Sequence, residues 1–282
     1  MAIKIITDSS SDLSLAYAAE NDIEIIPLRI LFGEESYLSG VEMTPDQFFR
    51  KLETVEELPK TSQPTPGELT EVFSRYLDAG DEVVAVFISG RMSGTYHAAC
   101  LVKENMGWDR LHIVDSGTVT FALGILVMEA VRLKGLGYSA KEIFDTLERE
   151  KSQVYLYASV GTLKYLQMGG RLSSTSAFFG SVLGIKPIIT IKDGLVEAIQ
   201  KQRGQKNAFE ALLKLMQNGN LDVERPHIIA HTDQPALMEE LAALIRERTD
   251  FDADAFARCD IGATVGVHVG PGACGFAFFA KE

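Results

Sequence analysis

Residues 83–97, VVAVFISGRMSGTYH, constrain the fold more than any other stretch of the chain. A run of β-branched and aromatic residues stops at Ser89-Gly90, and the chain restarts at Ser93-Gly94-Thr95 as the opening of a helix. A strand therefore ends in a turn that feeds a helix. In an open α/β sheet the carboxyl ends of the strands leave a crevice, and helix N-termini direct unpaired N–H groups into it. Gly90 and Gly94 permit close approach of backbone to a ligand, while Ser93 and Thr95 supply hydroxyls. The turn is not a phosphate loop, because Gly90 to Thr95 has neither the Gly-x4-Gly spacing nor the lysine. Nor is it a regular nucleophile elbow, since Ser93 sits one position late for Gly-x-Ser-x-Gly. The simplest structural role for Ser93 is to cap the helix that follows it.

The alternation continues on both sides. Residues 2–6 form a buried strand that leads through Thr7-Asp8-Ser9-Ser10-Ser11-Asp12-Leu13 into a helix at 15–21, which one of those serines caps. Asp8 at the strand end is placed to bond its own turn. One strand is expected over 23–32, a loop over 33–40, and a helix over 45–52 entered through Thr44-Pro45 with Gln47 at capping-box spacing. A stiff loop over 60–68 follows, in which Thr65 caps a helix running to residue 77. That leaves Thr61 and Ser62 without a structural task. After the 83–97 unit come a strand at 111–114 and a helix at 118–134 that is apolar nearly all round and belongs in a core. These β, turn, α units imply a parallel sheet with helices on both faces.

A charged helix over 141–153 leads to a second half with another rhythm. It has strands at 154–159 and 227–231, a short helix at 161–168, a near-helical apolar segment at 176–183, and helices at 207–217 and 235–247. Residues 186–202 form a hairpin turned by Asp193-Gly194. The expected organisation is an N-terminal α/β domain over 1–153 and a C-terminal α+β domain with a mixed sheet over 154–282, in keeping with 282 residues at the usual domain size. Residues 261–275 read as a bare glycine-rich loop around His268, closed by a strand at 276–280. That setting separates His268 from His97, His112, His227 and His231, which lie in ordinary helix and strand patterns.

Composition removes several classes of function. A net charge of −12 argues against nucleic acid as a partner. The most apolar stretch, 177–191, is too short and too interrupted by glycine, lysine and proline to span a bilayer, and the opening MAIKIITDSS reads as a strand rather than a signal peptide. Cys100, Cys259 and Cys274 lack metal-ligand spacing, so no metal or other cofactor is expected and a reduced cytoplasm is the expected location.

Six segments together, Thr7 to Leu13, Thr61-Ser62-Gln63-Pro64-Thr65-Pro66, Ile88 to Tyr96, Val114-Asp115-Ser116, Gly169-Gly170-Arg171 and His268-Val269-Gly270-Pro271-Gly272-Ala273, resemble the DegV family in order and over nearly the whole chain. The resemblance implies a bacterial fatty-acid-binding protein of two α/β domains. FakB members of the family present a bound long-chain fatty acid to a separate, dihydroxyacetone-kinase-like fatty acid kinase that phosphorylates the carboxylate, with an acyltransferase as a further partner. On this resemblance the carboxylate meets Thr61, Ser62, Ser93, amides near Gly94, and His268, while Arg171 and Arg203 meet the kinase. Catalysis would belong to the kinase. The chain departs from the family pattern at Gly90, Met92 and Val267, where Ser, Leu and Thr are commoner. Lys186, Lys192, Lys201, Arg203 and Lys206 form a basic island that is either a docking face or a solvated hairpin. The rival from another class is a serine hydrolase built from Ser93, His268 and Asp115 or Asp233.

Overall fold

The computed structural model describes residues 2–174 and 184–281, so the apolar segment expected over 176–183 lies outside the described residues. The first half runs β1 (Ile3–Asp8), α1 (Leu15–Glu20), β2 (Ile23–Ile26), β3 (Arg29–Phe32), β4 (Glu35–Leu38), α2 (Pro45–Leu52) and β5 (Lys60–Ser62). It continues through α3 (Pro66–Leu77), β6 (Glu82–Phe87), α4 (Thr95–Met106), β7 (Leu111–Asp115), α5 (Thr120–Gly135) and α6 (Ala140–Glu150). The second half contains β8 (Val154–Ser159), α7 (Lys164–Met168), β9 (Ile185–Lys192), β10 (Leu195–Arg203), α8 (Gln205–Asn218) and β11 (His227–His231). It closes with α9 (Pro235–Arg248), β12 (Ala257–Asp260), α10 (Ala263–Val269) and β13 (Cys274–Phe279).

The first sheet is parallel throughout, in the order β2-β1-β6-β7. Its central strands IKIITD and EVVAVF are apolar on both faces because helices cover both. The single strand expected over 23–32 is in fact two. Pro27 lacks an amide hydrogen and interrupts the ladder, so β2 stays in the parallel sheet while β3 turns away. β3 pairs antiparallel with both β4 and β5, which lie where loops were expected. Gly33, at φ 59°, makes the tight β3–β4 turn possible. The helix starts at Thr44 and Thr65 follow the expected capping boxes. α1 is capped by Ser14 rather than by one of Ser9–Ser11, which instead form a short 3₁₀ turn.

The second sheet is mixed, in the order β10-β9-β8-β13-β11-β12. Asp193 and Gly194 turn the β9–β10 hairpin with φ 48° and 72°, the left-handed pair that a type I′ turn demands. Two elements escaped the sequence pattern. The edge strand β12 adds in parallel to β11, and α10 replaces most of the bare loop expected over 261–275. At seven residues α10 is too short to hold itself together in water, so tertiary packing must form it. Gly266 allows that packing: a Cβ there would come within 2.7 Å of the Phe48 ring on α2.

α5 lies at the seam. Phe121, Ala122, Leu123, Ile125, Leu126, Val127 and Ala130 are all buried, and they join one apolar cluster that holds Ile5 and Val84 of the first sheet together with Leu156, Ala230 and Phe279 of the second. The one charge this helix buries deeply is Glu129, which is 1% exposed. Arg132 grips it at 2.7 and 2.8 Å from within the helix, and Arg225 reaches it at 3.1 Å from the second half. Arg225 also bonds Glu150 at 2.7 Å and lies 3.7 Å from the Phe279 ring centroid. Because removing one partner of a buried ion pair costs about 3 kcal/mol or more, Arg225→Ala should lower unfolding free energy by about that amount. Equilibrium urea denaturation measures it, and a loss below about 1 kcal/mol would show that Arg225 does not help to hold the halves together.

Candidate functional site

A cavity opens beside the start of α5. Its walls are hydrocarbon: Val119 and Phe121 at the start of α5, Leu156 and Ala158 on β8, Ile189, Ile191 and Val196 on the hairpin, Val265 and Val269 on α10. The inward faces of β8 and the hairpin reach it because alternate residues of a strand share a face. Such a wall offers nothing to an ion and much to a hydrocarbon chain.

Thr61, Ser93, Arg171 and His268 also line this cavity, brought together from four distant segments. The Thr61 hydroxyl lies 3.0 Å from His268 Nε2. Arg171 Nε donates to the carbonyl of Met92 at 3.1 Å, next in the chain to Ser93, and its Nη1 donates to the Gly169 carbonyl at 2.5 Å. Gly169 in turn abuts His268 so closely that any Cβ would collide with Nδ1. Ser93 Oγ lies 2.9 Å from Thr95 Oγ1 and accepts from the Thr95 amide at 3.3 Å, so Ser93 organises the start of α4 while it faces the cavity.

Thr61 is placed by β5, where it pairs with Ile30 of β3. Ser62, one residue on, takes the other face of the strand and bonds the Gln63 carbonyl at 3.3 Å rather than lining the cavity. Gly94 is the N-cap residue of α4 and lies under the Gln63 side chain, also away from the lining. Arg203 ends β10 on the exposed side of the hairpin. Arg171, which the sequence grouped with Arg203, is half-buried and bonded to two carbonyls.

His268 stands in the last turn of α10. Burial, reinforced by the positive charge of Arg171, lowers its pKa from 6.5 to about 4, so the imidazole is neutral near pH 7. Its Nδ1 is buried without a hydrogen-bond partner. The hydrolase arrangement is therefore not assembled among the described residues. No carboxylate orients Nδ1, Nε2 is taken by Thr61, and Asp115 accepts from the amides of Gly90 and Gly117 at 3.1 and 2.9 Å. Asp233 sits in a left-handed turn after β11, and Asp8 is occupied by Ser10 and the Ile88 amide.

Sequence patterns missed two threonines of the lining, Thr120 and Thr264. Thr264 stands four residues before His268 and would have been found had 263–269 been read as a helix; Thr120 carries no comparable signal. Among the described residues no group of three or more His, Cys, Asp or Glu could hold a metal ion, and no helix is long and apolar enough to cross a membrane.

Comparison with known proteins gives a consistent picture. The model of the DegV family of uncharacterised proteins matches residues 2–281. A DegV domain-containing protein of Deinococcus radiodurans is 36% identical over 282 residues, covering 98% of each chain. Among the similar solved structures, two that match over the whole of both chains illustrate the likeness. One is described as the fatty acid binding of a DegV family protein from Thermus thermophilus, at 29% identity and TM-score 0.90. The other is DegV, a fatty acid binding protein from Bacillus subtilis, at 30% identity and TM-score 0.83.

The lowered pKa of His268 has a consequence for stability. As pH falls from 6.5 toward 4, the unfolded chain takes up this proton before the folded chain does, so stability is lost across that window. Replacing His268 with Asn should remove up to roughly 3 kcal/mol of that acid-side loss. Urea denaturation of both proteins at a series of pH values checks it, and parallel curves would mean that the imidazole titrates normally.

Proposed function

The chain belongs to the DegV family, and we propose that it is a carrier that encloses a long-chain fatty acid in the cavity beside α5 and holds its carboxyl at Thr61, Ser93 and His268. The observation that carries this reading is a hydrocarbon-walled cavity lined also by Thr61, Ser93 and His268, three of the five head-group residues that the family resemblance implies. Burying ~14 methylenes gives roughly 11 kcal/mol at ~0.8 each, before the costs of ordering ligand and protein. The tail supplies the affinity. The head group then has only to be oriented, and hydroxyls with a neutral imidazole do this without locking one charge state.

In this reading the carboxyl is offered to a separate fatty acid kinase that forms the acyl phosphate, and an acyltransferase uses the product. The chain itself performs no catalysis and needs no cofactor. Ser62, on the other face of β5, and Gly94, under the Gln63 side chain, are neighbours of this head-group end rather than part of its lining. The exposed hairpin, with Arg203 and its neighbouring lysines, is the docking face on an otherwise acidic protein. Arg171 borders the cavity where the kinase must reach the carboxyl. The division into domains at 153/154 belongs to the same proposal, as does a cytoplasmic location.

Calorimetric titration of delipidated protein with palmitate should show one acid per chain and a negative heat-capacity change. No binding would end the proposal. Thr61→Val should weaken binding about tenfold, the worth of one hydrogen bond to a charged group. A fluorophosphonate probe should leave Ser93 unlabelled, and stoichiometric labelling would favour hydrolysis instead.

A further inference from the structure

Two short stretches that line the cavity come from opposite halves of the chain, the start of α5 and the face of α10 that carries Thr264 and His268. One carboxylate ties them together. Asp12 Oδ2 accepts from the Thr120 hydroxyl at 2.6 Å, and Oδ1 accepts from the Gly262 amide at 2.9 Å, immediately before α10. The Asp12 carbonyl also accepts from Cys259 Sγ at 3.2 Å, so its backbone is tied to β12 as well. Asp12 itself does not line the cavity.

Both ends of the Asp12–Thr120 bond have left-handed backbone, with φ 53° at Asp12 and 55° at Thr120. Aspartate tolerates that region, but a β-branched residue does so only under strain. Glycine would fit position 120 without strain, yet it would release the Asp12 carboxylate. Strain kept at a cavity wall, where an easier residue exists, points to a function beyond folding. α10 needs such a restraint, because seven residues do not fix their own orientation.

We propose that Asp12 and Thr120 are positioning residues for the acid-binding site: their shared hydrogen bond, extended to Gly262, fixes α10 against α5 and so holds His268 beside Thr61. The inference rests on the reading of the cavity as a fatty-acid site, but its structural part can be read without ligand. Thr120→Gly removes the hydroxyl and the strain together, and Thr120→Ser keeps the hydroxyl as the conservative control. Thr120→Gly should shift the ring ¹⁵N resonances of His268 and weaken palmitate binding to the delipidated protein at least tenfold. Thr120→Ser should restore both the resonances and the binding to within about threefold. Asp12→Ala should resemble Thr120→Gly; if it does not fold, the Thr120 pair decides. Palmitate bound within twofold of the parent by Thr120→Gly, with the His268 resonances unmoved, would overturn the proposal. A parent chain that binds no palmitate would remove the reading of the cavity, and the His268 resonances would still decide the restraint.

Discussion

The hydrogen bond between Thr61 and His268 is the interaction on which the polar end of the cavity depends. It joins residues 207 apart in the chain, at 3.0 Å, on the border of a hydrocarbon cavity. In that setting a charge is expensive and an unmade hydrogen bond is too. The imidazole answers the first cost by staying neutral, as burial and Arg171 dictate. It answers the second on one side only, through Thr61, and leaves Nδ1 against Gly169. The arrangement orients a polar group, and among the described residues no carboxylate bonds Nδ1 as the orienting acid of a hydrolase would.

The rest of the fold can be understood as what brings β5 and α10 to that point. β5 reaches it because Pro27 releases β3 from the parallel sheet and lets a small antiparallel sheet form beside it. α10 reaches it because Gly266 admits Phe48 and because Asp12 bonds the amide that precedes the helix. Between them α5 is buried on nearly every side, which explains its lack of a polar face. Glu129 is the exception, and its arginines come from both halves of the chain. The apolar cluster is continuous across the two larger sheets, so the cavity belongs to neither sheet alone.

Much of this was legible in the residues. The parallel strands, the capping boxes at Thr44 and Thr65 and the Asp193-Gly194 hairpin all depend on local rules, and each formed as those rules require. The small antiparallel sheet of β3, β4 and β5, the strand β12 and the helix α10 were not legible. β4, β5 and β12 are four, three and four residues long, too short for a periodic signal, and α10 carries three valines, a threonine and a glycine that disfavour a free helix.

By itself the sequence determined where strands become helices, which helix must be buried and which polar residues had no local work to do, because each of these follows from spacing and backbone chemistry within a few residues. Only the tertiary structure decided that Thr61 faces the cavity while Ser62 faces away, that Arg171 borders it while Arg203 does not, and that His268 is a neutral helix residue rather than part of a bare loop. The physical reason is that strand register, burial and the nearness of another charge are properties of segments brought together from far apart, and no window of the chain contains them.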